Sequence, residues 1–199
     1  MAATRLTPEE TKARIQQMLS FQRQEELDPF RVMAFLPIDP YYVVADIGSG
    51  PGFFTIALAK YLVQGKVYAV DTSQEMLDVL RQRVKETYLG NVEMVHSQEY
   101  HVPIEPESLD GALAAFVLGE VEDRAKLLKS VTAALKPGAW LAVVEWLPNA
   151  KTDYPVPSRV PPDSMKTLAK AVGLRLGEVR ELSGKHYMAM FRRPKAAKA

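Results

Sequence analysis

The sequence predicts an α/β fold: a parallel sheet covered by helices on both faces and closed by an antiparallel hairpin. Three observations carry this. Five short apolar runs alternate with segments of helical period. The first run leads into a glycine-rich turn followed at once by a helical segment, the order of strand, loop and helix that handles nucleotides. The last two strand-like runs are joined only by Ser183-Gly184-Lys185, a hairpin signal.

In chain order, Thr7 is an N-cap with Pro8 at the first helical position and Glu10 closing a capping box. That helix is expected to run to about Glu26. Asp28-Pro29 opens a second helix to Leu36, with Phe30, Met33 and Ala34 on one face, ended by Pro37 and Pro40. Strands are expected over 42–47, 66–71, 92–96, 109–116 and 140–146. Between them lie helices over 55–62, from Ser73 to about Thr87 with Met76, Leu77, Leu80 and Val84 at helical spacing, and over 122–135. Apolar strands of this kind, alternating with helices, are buried on both faces. A proline-rich loop over 147–162 follows, then a helix to about Val172 and two strands over 175–182 and 186–192.

The chain has 199 residues, 47% apolar and 25% charged, which fits one globular domain over 1–199. A chain of this length buries roughly 70% of its unfolded surface, so it needs no disulfide or metal to fold. With 25 basic and 24 acidic side chains, the balance speaks against nucleic acid as the main partner. Without cysteine, disulfides, thiolate-zinc sites and cysteine nucleophiles are excluded, and no metal is expected. No apolar run reaches the ~18 residues of a membrane span, and MAATRLTPEE lacks a signal-peptide core, so a cytoplasmic protein is expected. Residues 1–27 form an N-terminal helix that packs or covers the site, Met18 and Phe21 among its apolar positions. Residues 193–199 read as a flexible basic tail.

The chemistry concentrates at Asp46-Ile47-Gly48-Ser49-Gly50-Pro51-Gly52. A carboxylate at the end of an apolar strand is costly to bury unless something pairs with it, and a cationic or hydrogen-bond-donating ligand at the loop would do so. The glycines let the backbone bend sharply and approach that ligand. A nicotinamide-dinucleotide loop wants G-x-G-x-x-G, but position 53 is Phe and the third glycine comes one residue early. Asp71, at the end of the second strand, is either a helix-capping or solvated acid or a partner for ribose hydroxyls.

This stretch resembles the D-x-G-x-G-x-G signature of class I S-adenosylmethionine-dependent methyltransferases. Val70-Asp71-Thr72-Ser73 with Met76 resembles that family's second motif. Pro103 to Asp110 and Ala114 to Glu120 resemble the approach to and exit from its fourth strand, and Lys136-Pro137-Gly138-Ala139-Trp140 the turn into its fifth. The resemblance covers roughly residues 28–192 and is closest to small ubiquinone/menaquinone-biosynthesis enzymes. It implies a Rossmann-like sheet of seven strands, ordered 3-2-1-4-5-7-6 with one antiparallel strand. S-adenosylmethionine is then the cofactor, held by Asp46, Gly48, Gly50, Gly52, Asp71, Thr72 and Met76, with Phe116 near the sulfonium. The family often has an acid after the third strand for the adenine amino group; here Gln98 stands there, followed by Glu99. The family also often has histidine where Gly119 stands.

For the other half of the site the sequence offers candidates with a bland alternative each. Glu120 caps the next helix or reaches the site. Trp146, ending the fifth strand, lines a pocket or packs. Arg159 binds an acidic substrate group or is solvated. His186 begins the last strand at the sheet edge and is the best histidine for a general base. His96 points into the sheet or toward a neighbouring strand, and His101 to solvent. The expected activity is methyl transfer to a small-molecule acceptor by in-line displacement. An RNA or protein methyltransferase and a non-catalytic S-adenosylmethionine-binding module are the alternatives.

Overall fold

The computed structural model describes residues 7–152, 156 and 158–195. Its elements are α1 (Pro8–Met18), α2 (Phe21–Glu26), α3 (Pro29–Met33), β1 (Val43–Ile47), α4 (Thr55–Tyr61), β2 (Lys66–Asp71), α5 (Gln74–Glu86), β3 (Val92–His96), β4 (Leu109–Ala115), α6 (Arg124–Ala134), β5 (Leu135–Trp146), α7 (Pro162–Ala171), β6 (Arg175–Ser183) and β7 (His186–Arg192). The strands form one sheet in the order β3-β2-β1-β4-β5-β7-β6. Only β7 runs antiparallel, to both β5 and β6. Fold class and strand order agree with the expectation.

The strand period of two divides the core. Val44, Leu113, Ala142 and Val144 face α3 and α4. Ala45, Ile47, Ala112, Leu141 and Val143 face α6 and α7. Leu77, Leu80 and Val84 of α5 cover Ala69 of β2; each such leucine contributes roughly 1.5–3 kcal/mol by leaving water. Because β1, β4 and β5 are covered on both faces, their sequences run apolar without alternation. The strand order reverses between β1 and β4, which opens the crevice where ligands bind in open α/β sheets.

Several expectations fail locally. The first helix breaks at Leu19-Ser20, because the Ser20 hydroxyl accepts the Arg23 N–H and caps a new helix, α2; serine favours such a cap over a helix interior. In α3 the buried residues are Pro29, Val32 and Met33, while Phe30 and Ala34 are exposed. Asp123 caps α6 by accepting the Lys126 N–H, so that helix starts later than Glu122. β5 begins at Leu135, which pairs with Leu109, so Lys136-Pro137-Gly138 lies within its span. β7 is interior rather than at the sheet edge, and His186 is buried. Arg193 is no part of a flexible tail: its backbone continues the ladder to Gly138 and Ala139, and its guanidinium pairs with Glu107 at 2.6 Å. Residues 196–199 of the expected tail, and 153–155 and 157 of the proline-rich loop, lie outside the described residues.

Candidate active site

The glycine loop is tied to the end of β2. Gly48 and Ser49 both donate N–H bonds to the Val70 carbonyl, at 2.8 and 3.0 Å. Gly50 donates to Asp71 Oδ2 at 2.7 Å, and Ser73 donates to Oδ1 of the same carboxylate at 2.9 Å. Asp71 therefore fixes the loop and the start of α5 together. Gly50 has φ +53° and Gly52 φ +88°, the left-handed region that side chains resist. A Cβ on Gly50 would lie 2.8 Å from the Met18 methyl, and one on Gly52 2.3 Å from Leu80. The Ser49 hydroxyl is buried and has no hydrogen-bond partner among the described residues.

Asp46 is buried under this loop, and Thr55 Oγ1, at the start of α4, donates to its Oδ2 at 2.6 Å. Burial pushes the Asp46 carboxyl up to about 7; the Thr55 bond works against the shift and the Asp71 charge adds to it. A carboxyl met only by the neutral hydroxyl and backbone N–H of Thr55 is poised for a cationic partner.

Beyond β4 the site turns aromatic. Phe116 follows the strand with φ +61°, a strained conformation for an aromatic residue and one that clusters at functional sites. Its N–H is held by the Val144 carbonyl at 2.8 Å. Its ring lies 5.5 Å from Trp146 and 5.3 Å from His186, which are themselves 4.3 Å apart because β5 and β7 place them directly opposite each other. The Arg23 guanidinium of α2 stands over Phe116 at 4.9 Å and Phe53 at 5.1 Å. His186 Nδ1 meets the Ser183 hydroxyl at 2.9 Å. Burial, with Arg23 next, depresses the imidazole to about 4, so it is neutral at pH 7. Trp146 and His186 thus share one cavity lining with Phe116.

Other expected residues are employed elsewhere. Glu120 neither caps α6 nor enters the aromatic group: both its oxygens accept from Arg14 of α1, at 2.6 and 2.7 Å. Arg159 is neither solvated nor free for a substrate acid, since it donates to the Leu147 and Ala150 carbonyls at 2.7 Å each. Gln98 and Glu99 line an open cleft of about 550 Å³ against Lys126 and Lys129 of α6, whose lining includes no glycine-loop residue. Met76 is buried and Thr72 exposed beside the end of β2. His96 Nε2 bonds the Thr72 carbonyl at 3.0 Å, and His101 is exposed. Met18 packs on the glycine loop, whereas Phe21 is 73% exposed.

One residue escaped the sequence reading. Glu145 of β5 is buried and accepts the Gly119 N–H at 3.1 Å. Burial raises its carboxyl to about 7, against the backbone bonds from Gly119 and Leu118. It fixes the turn after Phe116. The available signal was a lone acid in the apolar run LAVVEW, the same signal that singled out Asp46. The glycine at 119 has a steric cause: a Cβ there would lie 2.4 Å from the Ser158 carbonyl oxygen, leaving no room for a histidine.

Comparisons with known proteins bear on the family and the fold. Residues 45–143 match the family model for a methyltransferase domain. The chain is 33% identical over 129 residues to a demethylmenaquinone methyltransferase of Bacillus mycoides, a match covering 64% of this chain and 54% of that protein. The chain thus spans about half the length of the curated relatives it matches. A crystal structure of a S-adenosylmethionine-dependent methyltransferase from Aquifex aeolicus superposes with TM-score 0.85 at 26% identity, covering 95% of this chain and all of that one. A putative methyltransferase of Bacillus halodurans shares the fold at 15% identity, with TM-score 0.72 over 84% of this chain and 99% of that one. The chain belongs to the class I S-adenosylmethionine-dependent methyltransferases, and S-adenosylmethionine is the cofactor of that family.

Proposed function

We propose that the chain transfers the methyl group of S-adenosylmethionine to a small-molecule acceptor. The Bacillus relatives' name brings forward a demethylated quinone ring as its class. The observation that carries this reading is the array of Asp46, Gly50 and Asp71 at the sheet's switch point, beside the Phe116–Trp146–His186 group.

The residues fit the cofactor. The loop is a cradle that any Cβ would fill, and the Ser49 hydroxyl there lacks a partner among the described residues. A carboxylate offers roughly four lone-pair positions; two on Asp71 hold the Gly50 and Ser73 amides, and the others suit the ribose hydroxyls. Asp46 suits the amino group, which would stabilise its ionised form. Gly48 and Gly52 complete the cradle, with Thr72 and Met76 flanking the adenine. Gln98 and Glu99 sit on the cleft behind.

When bound, S-adenosylmethionine supplies a methyl group on a positively charged sulfur, which departs as a neutral thioether once the acceptor bonds the carbon. The chain's own contribution is position: fixed geometry of this kind is worth ~7–11 kcal/mol of barrier. Phe116 presents a ring face to positive charge, a contact worth ~0.5–2 kcal/mol. Neutral His186 adds no opposing charge and, with Trp146, keeps water from the aromatic side.

Calorimetric titration with S-adenosylhomocysteine tests the cofactor half. Asp71→Ala is expected to bind at least tenfold more weakly, ~1.4 kcal/mol; undiminished affinity in a folded variant would remove the assignment. Transfer of labelled methyl to a demethylated naphthoquinol tests the acceptor. Labelling of RNA or protein but not of the quinol would transfer the function to the macromolecular reading.

A further inference from the structure

His186 closes the β6–β7 hairpin, paired with Ser183 across the turn Gly184-Lys185. The pairing sets the Ser183 hydroxyl 2.9 Å from Nδ1. The hydroxyl oxygen accepts the Lys185 N–H at 3.2 Å, and among the described residues its own proton meets no acceptor besides Nδ1. The ring is 2% exposed. Burial, with the Arg23 charge next, holds the imidazole near 4, so at pH 7 it carries a single ring proton. Nδ1, accepting from Ser183, leaves that proton to Nε2. Among the described residues Nε2 has no hydrogen-bond partner, and a buried donor is costly to leave unpaired. With Nδ1 turned to the hairpin, Nε2 lies on the edge left for the cavity under α2, lined also by Arg23, Glu26, Leu27, Phe116 and Trp146. Glu26 is engaged by Lys185 Nζ at 2.7 Å. The room there is about 10 Å³, roughly one water: it takes one oxygen atom and not a ring.

We propose that His186 binds the acceptor as a hydrogen-bond donor: Ser183 keeps the ring proton on Nε2, and this N–H meets a hydroxyl or carbonyl oxygen projecting from the acceptor into the cavity. This rests on the methyl-transfer reading above. The role differs from the general base that the sequence suggested, because a ring in this tautomer turns no lone pair toward the acceptor. It is a selective role. A site built around a donor rejects a ring that lacks the oxygen, since the N–H is then buried without a partner. Ser183 is a positioning residue. It touches no acceptor, and without its hydroxyl both tautomers are open to the imidazole.

The test has two parts, both on the full chain saturated with S-adenosylhomocysteine. Nitrogen NMR of the chain labelled at its three histidines reads which ring nitrogen carries the proton, and His186→Gln assigns the signal. The Nε2–H form is expected at pH 7, with both forms present in Ser183→Ala. A proton on Nδ1 of the native chain, or an unchanged spectrum in Ser183→Ala, overturns the proposal. Calorimetric titration compares 1-naphthol with 1-methylnaphthalene, equal in size but without the oxygen. The preference for 1-naphthol is expected to be about fivefold larger in the native chain than in His186→Phe, the share of one neutral hydrogen bond. His186→Gln, which keeps an N–H donor, retains part of it and guards against misfolding of the Phe variant. Equal weakening of both probes in His186→Phe overturns the proposal by making His186 a packing residue. If S-adenosylhomocysteine does not bind the native chain, the methyl-transfer reading falls, and the tautomer and probe preference are read on the unliganded protein.

Discussion

Asp46 and Glu145 occupy matching places, each one residue before the end of its strand, β1 and β5. Both are buried and both are raised to about 7. They differ in what meets them. Asp46 faces α4 and receives a hydroxyl from Thr55, nine residues away. Glu145 faces the α6–α7 side and receives the backbone N–H of Gly119, 26 residues away. The Thr55 hydroxyl and backbone N–H, both neutral and both beside the glycine loop, leave Asp46 able to accept a ligand cation in addition. Backbone partners make Glu145 a fixed brace for the turn that carries Phe116. The same side-chain chemistry thus borders the glycine loop in one half of the molecule and braces the chain itself in the other.

The strongest way to break this comparison is to destroy the ligand half alone. Gly52→Val forces a side chain into φ +88° and against Leu80 at 2.3 Å. At least a tenfold loss of S-adenosylhomocysteine affinity is expected, with thermal stability lowered by overpacking of ~1–3 kcal/mol. Calorimetry and a melting curve read the two. Loss of stability without loss of affinity would mean that the loop does not hold the ligand.

The second way uses pH. Both carboxyls keep their proton in the folded state up to about 7, above the unfolded values of ~3.9 and ~4.3. Between those limits the folded chain binds more protons than the unfolded one, so their contribution to stability is full below pH ~4 and is lost as pH rises through 7. Asp46→Asn and Glu145→Gln should each flatten the pH dependence of urea unfolding by up to ~1.4 kcal/mol per pH unit. The comparison sharpens with ligand: saturating S-adenosylhomocysteine should abolish the Asp46 share, because its amino group stabilises the carboxylate, and leave the Glu145 share. Equal loss of both would erase the distinction.

The smallest effect is expected where α1 meets the turn after β4. Arg14 and Glu120 are 39% and 44% exposed at their side chains, and exposed pairs contribute ~0–1 kcal/mol. Arg14→Ala should lower Tm by less than about 4 °C. A larger drop in the thermal melt would make α1 a structural part of the site rather than a cover on it.

The legible parts of the site share one property: their partners are near in sequence. The capping box of Thr7 and Glu10 and the Ser73 cap of α5 both close within a single turn. The fates of Glu120 and Arg159 were missed because their partners, Arg14 and the Leu147–Ala150 carbonyls, come from a distant helix and from an irregular loop. Arg23 went unremarked for the same reason. On its own short helix it is one polar residue among several, and only packing sets it over Phe53 and Phe116.

By itself, then, the sequence determined the strands, the helices between them and the glycine turn after β1, because glycine conformation, strand burial and capping are local demands, while the strand order followed from the family resemblance. Tertiary structure alone decided the aromatic group beyond β4. The pairing of Trp146 with His186, the strained Phe116, the brace at Glu145 and the exclusion of a side chain at Gly119 each depend on atoms far apart in the chain, brought into contact by β5, β7 and the loop at Ser158.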